Sequence, residues 1–264
     1  MSGDAYHPRM ASTSHLTILT GASRGMGLAM AEQLIDAGHE LLCISRKTND
    51  ALAARAQARG VRIEQWPQDL ARADAAAAKL ATWLAARGEG SLASATLINN
   101  AGVIPTIAPV GDIAAADLAQ ALRVGLEAPM LLTGAFLRAT VAWRCERKVL
   151  NISSGLGRRA MASQAAYCAA KAGMDHFTRC VALEEEQRGS HGARVCSLAP
   201  GVIDTDMQVQ LRSADPDRFP DIGNFQGMKS KGMLTSPAEA AARVLAFLAR
   251  KDFGANAVAD VRDA

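Results

Sequence analysis

The sequence predicts a single α/β domain with a doubly wound parallel sheet of about seven strands and helices on both faces. Three observations predict it. From "HLTILTG" onward, short β-rich apolar runs alternate with longer alanine- and leucine-rich stretches of helical period. A glycine-rich turn, "TGASRGMG", follows the first of these runs directly and opens the first helix. The chain has 264 residues with 49% hydrophobic and 21% charged content, which suits one sizeable core.

In order, strand 16–20 lies in "HLTILTG" and helix 25–37 begins inside the glycine turn. Strand 40–45 carries "LLCIS", and helix 49–59 follows it. Strand 61–66 precedes the alanine-rich helix 72–87, and strand 95–99 runs into "NNAG". Helix 115–143 is read as continuous, and strand 147–153 ends in "NISSG". Helix 164–188 holds "YCAAK", strand 193–198 leads to "PGVIDTDM", and helix 236–250 precedes strand 256–261. Residues 1–14 are polar and small and read as a disordered tail, leaving 15–264 as the domain. Within it the Pro-, Gly- and Asp-rich stretch 204–236 is too long for an ordinary connection, and predicts a substrate loop or lid.

Composition narrows the partners. Lys+Arg 29 against Asp+Glu 26 gives a net charge of only +3, and no basic run is interleaved with aromatics, so no nucleic-acid partner is expected. No apolar stretch approaches the ~18–20 residues that span a bilayer, and "MSGDAYHPRMASTSH" lacks an apolar signal core, so the expectation is a cytoplasmic protein with no membrane partner. Cys43, Cys145, Cys168, Cys180 and Cys196 show no CxxC spacing and predict neither a metal nor a disulfide. His176 reads as a helix-surface or packing residue rather than a base.

The turn has the strand-to-helix setting that a phosphate-binding loop requires. Gly21 is expected to make the tight turn, Gly25 to let backbone N–H groups approach a pyrophosphate, and Gly27 to let the helix pack closely. At the end of the second strand, where an acid would hold a ribose 2′-hydroxyl, the chain has Ser45 and then Arg46. An arginine there suits a 2′-phosphate, and Arg24 is expected to extend to the same end.

Taken together, "TGASRGMG", "NNAG" at 99–102, "NISSG" at 151–155, "YCAAK" at 167–171 and "PGVIDTDM" at 200–207 resemble the ordered motifs of the short-chain dehydrogenase/reductase family. The resemblance spans nearly the whole chain. It implies a Rossmann-type fold, an NADP(H) cofactor across the strand ends, and hydride transfer at a small-molecule carbonyl. It implies that Gly21, Ser23, Arg24, Gly25, Met26, Gly27, Ser45 and Arg46 bind the cofactor, with Asp69 and Leu70 at the adenine. It places Asn99, Ala101 and Gly102 by the nicotinamide ribose, and Pro200, Gly201, Val202 and Thr205 on the carboxamide and phosphate side. Asn99 and Asn100 also fit a simpler role, pairing main-chain groups at a strand end.

Tyr167 and Lys171 stand one helical turn apart, so their side chains share a face. A lysine ammonium, reinforced by an oxidised nicotinamide, is expected to lower the tyrosine pKa from its usual ~10 toward a usable acid/base. In the reductive direction Tyr167 donates a proton to the carbonyl oxygen while Ser154 hydrogen-bonds it; Lys171 orients the ribose. The only other tyrosine, Tyr6, lies in the expected tail. Of two adjacent serines only one can face the site, and the family spacing of thirteen residues to Tyr167 selects Ser154, leaving Ser153 a structural hydrogen bond.

One departure stands out. The family carries an asparagine in the long helix, supporting a water that links the lysine to solvent; here "VGLEAP" places Gly125 in that role, which weakens or rearranges the relay. A kink at Gly125 and Pro129 is expected. The C-terminal third, with "LTSPAEAA" and the terminal "VRD", is similar to the sepiapterin reductase and benzil reductase branch, which implies NADPH-dependent reduction of ketones and vicinal dicarbonyls. Leu156, Met161, Met207, Leu211, Phe219 and Phe225 are the expected pocket walls. Helices 115–143 and 164–188, with Ala165, Ala166, Ala169 and Ala170 on exposed faces, imply a dimer or tetramer. Two other readings stay open: a nucleotide-binding regulatory or scaffold protein that has lost activity, and an NAD-dependent alcohol dehydrogenase.

Overall fold

A computed structural model describes residues 14–263. Residues 1–13, including Tyr6, and Ala264 lie outside the described residues. Ser14, placed in the tail by the sequence, is the first residue of β1, Ser14–Thr20. The other strands are β2 Glu40–Ser45, β3 Ile63–Pro67, β4 Leu92–Asn99, β5 Glu146–Ile152, β6 Arg194–Ala199 and β7 Val258–Asp260. They form one sheet in the order β3-β2-β1-β4-β5-β6-β7, with every neighbouring pair parallel. The order reverses between β1 and β4, which opens a crevice at the carboxyl ends of those strands.

Alternation along each strand builds two cores. Leu42, Ile44, Leu97 and Val149 face one side, where they meet α3 (Ala73–Arg87), α5 (Ala128–Ala139) and Val181 of α6 (Ala165–Glu186). Leu41, Cys43, Ile98 and Leu150 face the other, against α1 (Gly25–Asp36), α2 (Asp50–Arg59) and α9 (Pro237–Leu248). Buried on both faces, these strands read as near-continuous apolar runs.

The stretch expected to be one helix over 115–143 is three pieces. α4 (Ala115–Leu122) leads into a π-helical turn, Arg123–Glu127, which runs on into α5 with Pro129 near its start. The wider turn is centred on Gly125, where the helix is weakest, and ends just before Pro129, which has no N–H to give. The stretch 204–236, expected as a loop, contains α7 (Asp206–Arg212) and α8 (Ile222–Ser230). Leu211, Phe219 and Phe225 form a small third core there with Ile107. Of the four alanines expected on an exposed face, Ala165 and Ala169 are exposed but Ala166 and Ala170 are buried within the chain.

A polar string crosses the first core beneath the site. Asn99 Nδ2 donates to Thr133 Oγ1 at 3.1 Å and Asn151 Oδ1 at 2.8 Å, and Asn151 Nδ2 donates to Thr178 Oγ1 at 2.9 Å, all buried. Asn151→Ala strips partners from Asn99 and Thr178 together. Each orphaned buried group costs about 1–3 kcal/mol, so the denaturant midpoint should fall accordingly with unchanged slope; an unaltered midpoint would show the string to be idle.

Candidate active site

The carboxyl ends of β1, β2, β4, β5 and β6 open into a cleft of about 1080 Å³. The sequence-predicted site residues line it with one exception. Asn99 is 2% exposed, spends its amide on the string just described, and supports the site from below without facing it. Its neighbour Asn100 does line the cleft.

At the glycine turn, Gly21 and Gly25 take positive φ of 73° and 56°, the left-handed region open to glycine. Gly27 is constrained differently. A Cβ there would fall 2.0 Å from Gly21 O and 2.5 Å from Asn100 Nδ2, so α1 closes on the turn itself. Thr20 Oγ1 accepts from the main-chain N–H groups of Asn100 and Ala101 at 2.9 Å each, and Asn100 Nδ2 donates to Thr20 O at 3.0 Å. The β1 and β4 ends are thereby fastened together at the crevice. Ser45 Oγ accepts from Ala22 N at 2.8 Å, bracing the turn from β2, while Arg46 beyond it is exposed.

Arg24 departs from expectation. Its Nη1 pairs with Asp206 Oδ2 of α7 at 2.5 Å, both side chains exposed, so its charge is met by the lid segment. Thr205, before α7, stands over the turn: a Cβ on Gly25 would lie 3.5 Å from its Cγ2. Asp69 Oδ1 accepts from Ala71 N and starts a short turn, with Leu70 buried behind it. Gly201 takes φ of 86° after Pro200, and Val202 O accepts from Thr235 N, tying the far end of the lid back to the strand exit.

Ser154, Tyr167 and Lys171 come together at the end of β5. Ser154 is half-buried and its Oγ accepts from Leu156 N at 3.2 Å. Lys171 Nζ donates to Ile152 O at 2.7 Å and lies 5.8 Å from the centre of the Tyr167 ring. Burial pushes the Tyr167 phenol up to about 12, opposed by its hydrogen bond with Ser154. Desolvation sets the direction of the shift in the protein alone, opposite to the lowering expected from lysine and an oxidised nicotinamide. Burial also brings Lys171 down to about 8, opposed by Asp175. Tyr167 is therefore a phenol that holds its proton at neutral pH.

Ser153, expected to make a structural hydrogen bond, makes only a main-chain one, from its N–H to Leu198 O. Its Oγ is buried with no partner, at the cleft wall. Phe219, expected in the wall, is fully buried behind it, 5.5 Å from the Phe225 ring; Leu156, Met161, Met207, Leu211 and Phe225 do line the cleft. His176 is exposed on α6. Arg158, Gln68 and Gln164 also line the cleft and carried no sequence signal beyond lying next to motifs.

A nicotinamide dinucleotide fits these residues. The tight turn with its left-handed Gly21 and Gly25, the α1 N-terminus with neither an acidic residue in its first turn nor a side-chain cap, and the orphaned Ser153 hydroxyl together offer backbone approach, an anion site and a donor. Among the described residues no group of three or more His, Cys, Asp or Glu is placed to hold a metal ion, and no helix is long and apolar enough to cross a membrane.

Comparison with known proteins agrees with this geometry. Residues 15–216 match the family described as short chain dehydrogenase. A benzil reductase ((S)-benzoin forming) of Bacillus cereus is 32% identical over 89% of this chain and 94% of its own length. Sepiapterin reductase of Xenopus laevis is 34% identical over 77% of this chain and 80% of its own. The crystal structure of a metagenomic short-chain oxidoreductase in complex with NADP superposes with a TM-score of 0.70 at 28% identity, covering 93% of this chain and 94% of that one.

Gly27→Ala tests this packing. Its methyl group meets the Gly21 backbone first and the Asn100 amide next, so overpacking of about 1–3 kcal/mol is expected with a loss of dinucleotide binding as the turn shifts; a variant of unchanged melting temperature and affinity would refute the contact.

Proposed function

The chain belongs to the short-chain dehydrogenase family of oxidoreductases, and on that premise we propose that it is an NADPH-dependent carbonyl reductase acting on aromatic ketones or vicinal dicarbonyls. The observation that carries this reading is the convergence of Ser154, Tyr167 and Lys171 on the cleft that also holds the glycine turn. The two reductases named above, similar over most of their length, support the substrate class. Leu156, Met161, Met207, Leu211 and Phe225 supply an apolar wall of the kind an aryl ketone fits.

The reduced nicotinamide, when bound, supplies the hydride. Ser154 Oγ hydrogen-bonds the carbonyl oxygen of the substrate, and Tyr167 Oη passes its proton to that oxygen as negative charge gathers there. Burial keeps the phenol protonated at neutral pH, so the proton is present to be given. Lys171, fixed through Ile152 O, brings a positive charge beneath the phenol and stabilises the phenolate left behind. Arg46, exposed at the end of β2, is the cation offered to a 2′-phosphate, while Arg24 can join it only by leaving Asp206. We read the protein further as a cytoplasmic homo-oligomer, with exposed Leu122, Met130 and Leu131 beside the π-helical turn available for association.

The deciding assay mixes the protein with NADPH or NADH and a panel of aromatic diketones and follows the reduced-nicotinamide absorbance. Tight cofactor binding without turnover would favour the regulatory protein instead. Tyr167→Phe removes the donated proton and keeps the ring, so NADPH should still bind while reduction falls by at least ~10²-fold. Near-normal turnover would exclude Tyr167 as the acid.

Arg46→Asp removes an attraction and adds a repulsion. A hydrogen bond to a charged group is worth ~1.5–3 kcal/mol, so NADPH affinity should drop at least ~10-fold, less in high salt, with preference moving toward NADH. An unchanged ratio of the two affinities would remove the cofactor assignment.

A further inference from the structure

Asp175 is a buried acid on the catalytic helix that the proposed chemistry leaves unused. It stands four residues beyond Lys171 and eight beyond Tyr167 on α6, and is 1% exposed. Side chains at this spacing follow one another along a helix face. Oδ1 accepts from the Ser197 hydroxyl of β6 at 2.6 Å. Oδ2 has no hydrogen-bond donor and faces Arg158 Nε at 3.5 Å. Arg158 caps the short turn that Ser154 begins, and its Nη2 donates to Ala259 O of β7 at 3.2 Å. That turn is pressed onto the helix: a Cβ on Gly157 would lie 2.8 Å from Asp175 Oδ2 and 3.0 Å from Lys171 O. A carboxylate so buried is tolerated only where cations face it.

We propose that Asp175 is a positioning residue of the site: its carboxylate joins β6, through Ser197, and the Ser154 turn, through Arg158, to the face of α6 that carries Lys171, and places a negative charge one helical turn from that lysine. The proposal rests on the reading of Tyr167 and Lys171 given above. The groups that face this carboxylate are Lys171 on its own helix, Arg158 from the turn and Cys196 from β6, whose thiol burial and Asp175 push up to about 12. Asp260 of β7 shares Arg158. Burial brings Lys171 down to about 8 and Asp175 opposes it, so the ammonium is lost as pH rises through that value. Without the carboxylate it is lost at lower pH.

The test compares Asp175→Asn, which keeps an acceptor for Ser197 and removes the charge, with Asp175→Glu, which keeps the charge. NADPH-dependent reduction of benzil and NADPH affinity, read by its own fluorescence, are followed between about pH 6 and 9. For Asp175→Asn the alkaline fall of kcat and of affinity should move acidward by about one pH unit, giving a ~5-fold loss of kcat near pH 8 that approaches ~10-fold near pH 9, and a much smaller one near pH 6. KM for benzil should change less than about threefold, and Asp175→Glu should restore most of the profile. Arg158→Gln, at a partly exposed position, removes a cation facing the carboxylate and should move the alkaline fall the other way; it serves where Asp175→Asn fails to fold. Unshifted profiles, or an equal loss at every pH in both Asp175 variants, would overturn the proposal. A wild type that binds NADPH but reduces no diketone, with the affinity profile still shifted in Asp175→Asn, would sink the reductase reading and leave the role of Asp175 standing.

Discussion

The site depends on how closely α6 lies against the end of β5. Lys171 Nζ reaches Ile152 O at 2.7 Å only because side chains are missing on both sides of the helix. A Cβ on Gly125 would lie 3.1 Å from Ala170 Cβ, and one on Gly173 would lie 2.8 Å from Leu126. On the opposite side Gly157 leaves space for the Asp175 carboxylate and the Lys171 carbonyl. Interiors pack at crystal density, so one added methyl at any of these contacts must push its neighbour aside: the Leu126 side chain at Gly173, the facing helix at Gly125, and the Lys171 backbone at Gly157. The π-helical turn belongs to the same constraint. It brings Gly125 onto Ala170, one residue before the lysine, where a larger side chain would push the helix away.

Close packing also explains the electrostatics. The contacts that place Tyr167 and Lys171 remove water from both, and desolvation then opposes each charged form: the phenol rises and the ammonium falls. The phenol is thereby kept in its protonated form, and the lysine's charge is supported by Asp175 and by the Ile152 carbonyl.

The parallel sheet and the glycine turn were legible because they rest on local pattern: short apolar runs alternating with helical stretches, and glycines directly between strand and helix. The meeting of Ser154, Tyr167 and Lys171 at one cleft was legible through motif order, which carries information no single motif holds. What sequence could not show depends on contacts between distant segments. Asn99 and Asn100 are adjacent and chemically identical, yet one is consumed by Thr133 and Asn151 while the other faces the cleft. Arg24 looks free until Asp206, 182 residues later, is folded against it. The stretch 204–236 read as loop from its Pro and Gly content, but Phe219 and Phe225 give it a core of its own and two short helices form around it. Asp175 gave no signal because its meaning lies in Arg158 and Ser197, each on a different element.

That lid segment links the two halves of the cleft physically. At its start Thr205 sits over Gly25 and Asp206 holds Arg24, so one end rests on the glycine turn. In its middle Ser163 Oγ donates to Arg218 O at 2.5 Å, and Arg218 pairs with Asp112 at 3.0 Å, so the centre is fastened beside the catalytic helix and the loop before α4. Asp204 gathers Arg212 and Lys229, closing α7 and α8 onto one carboxylate. Exposed ion pairs of this kind hold weakly and are screened by salt, whereas the apolar cluster of Leu211, Phe219 and Phe225 is not. The 204–236 stretch therefore has a firm centre and a loosely held edge, and the loose edge is the one resting on the glycine turn. Wall and turn share a segment, so what binds at one bears directly on the shape of the other.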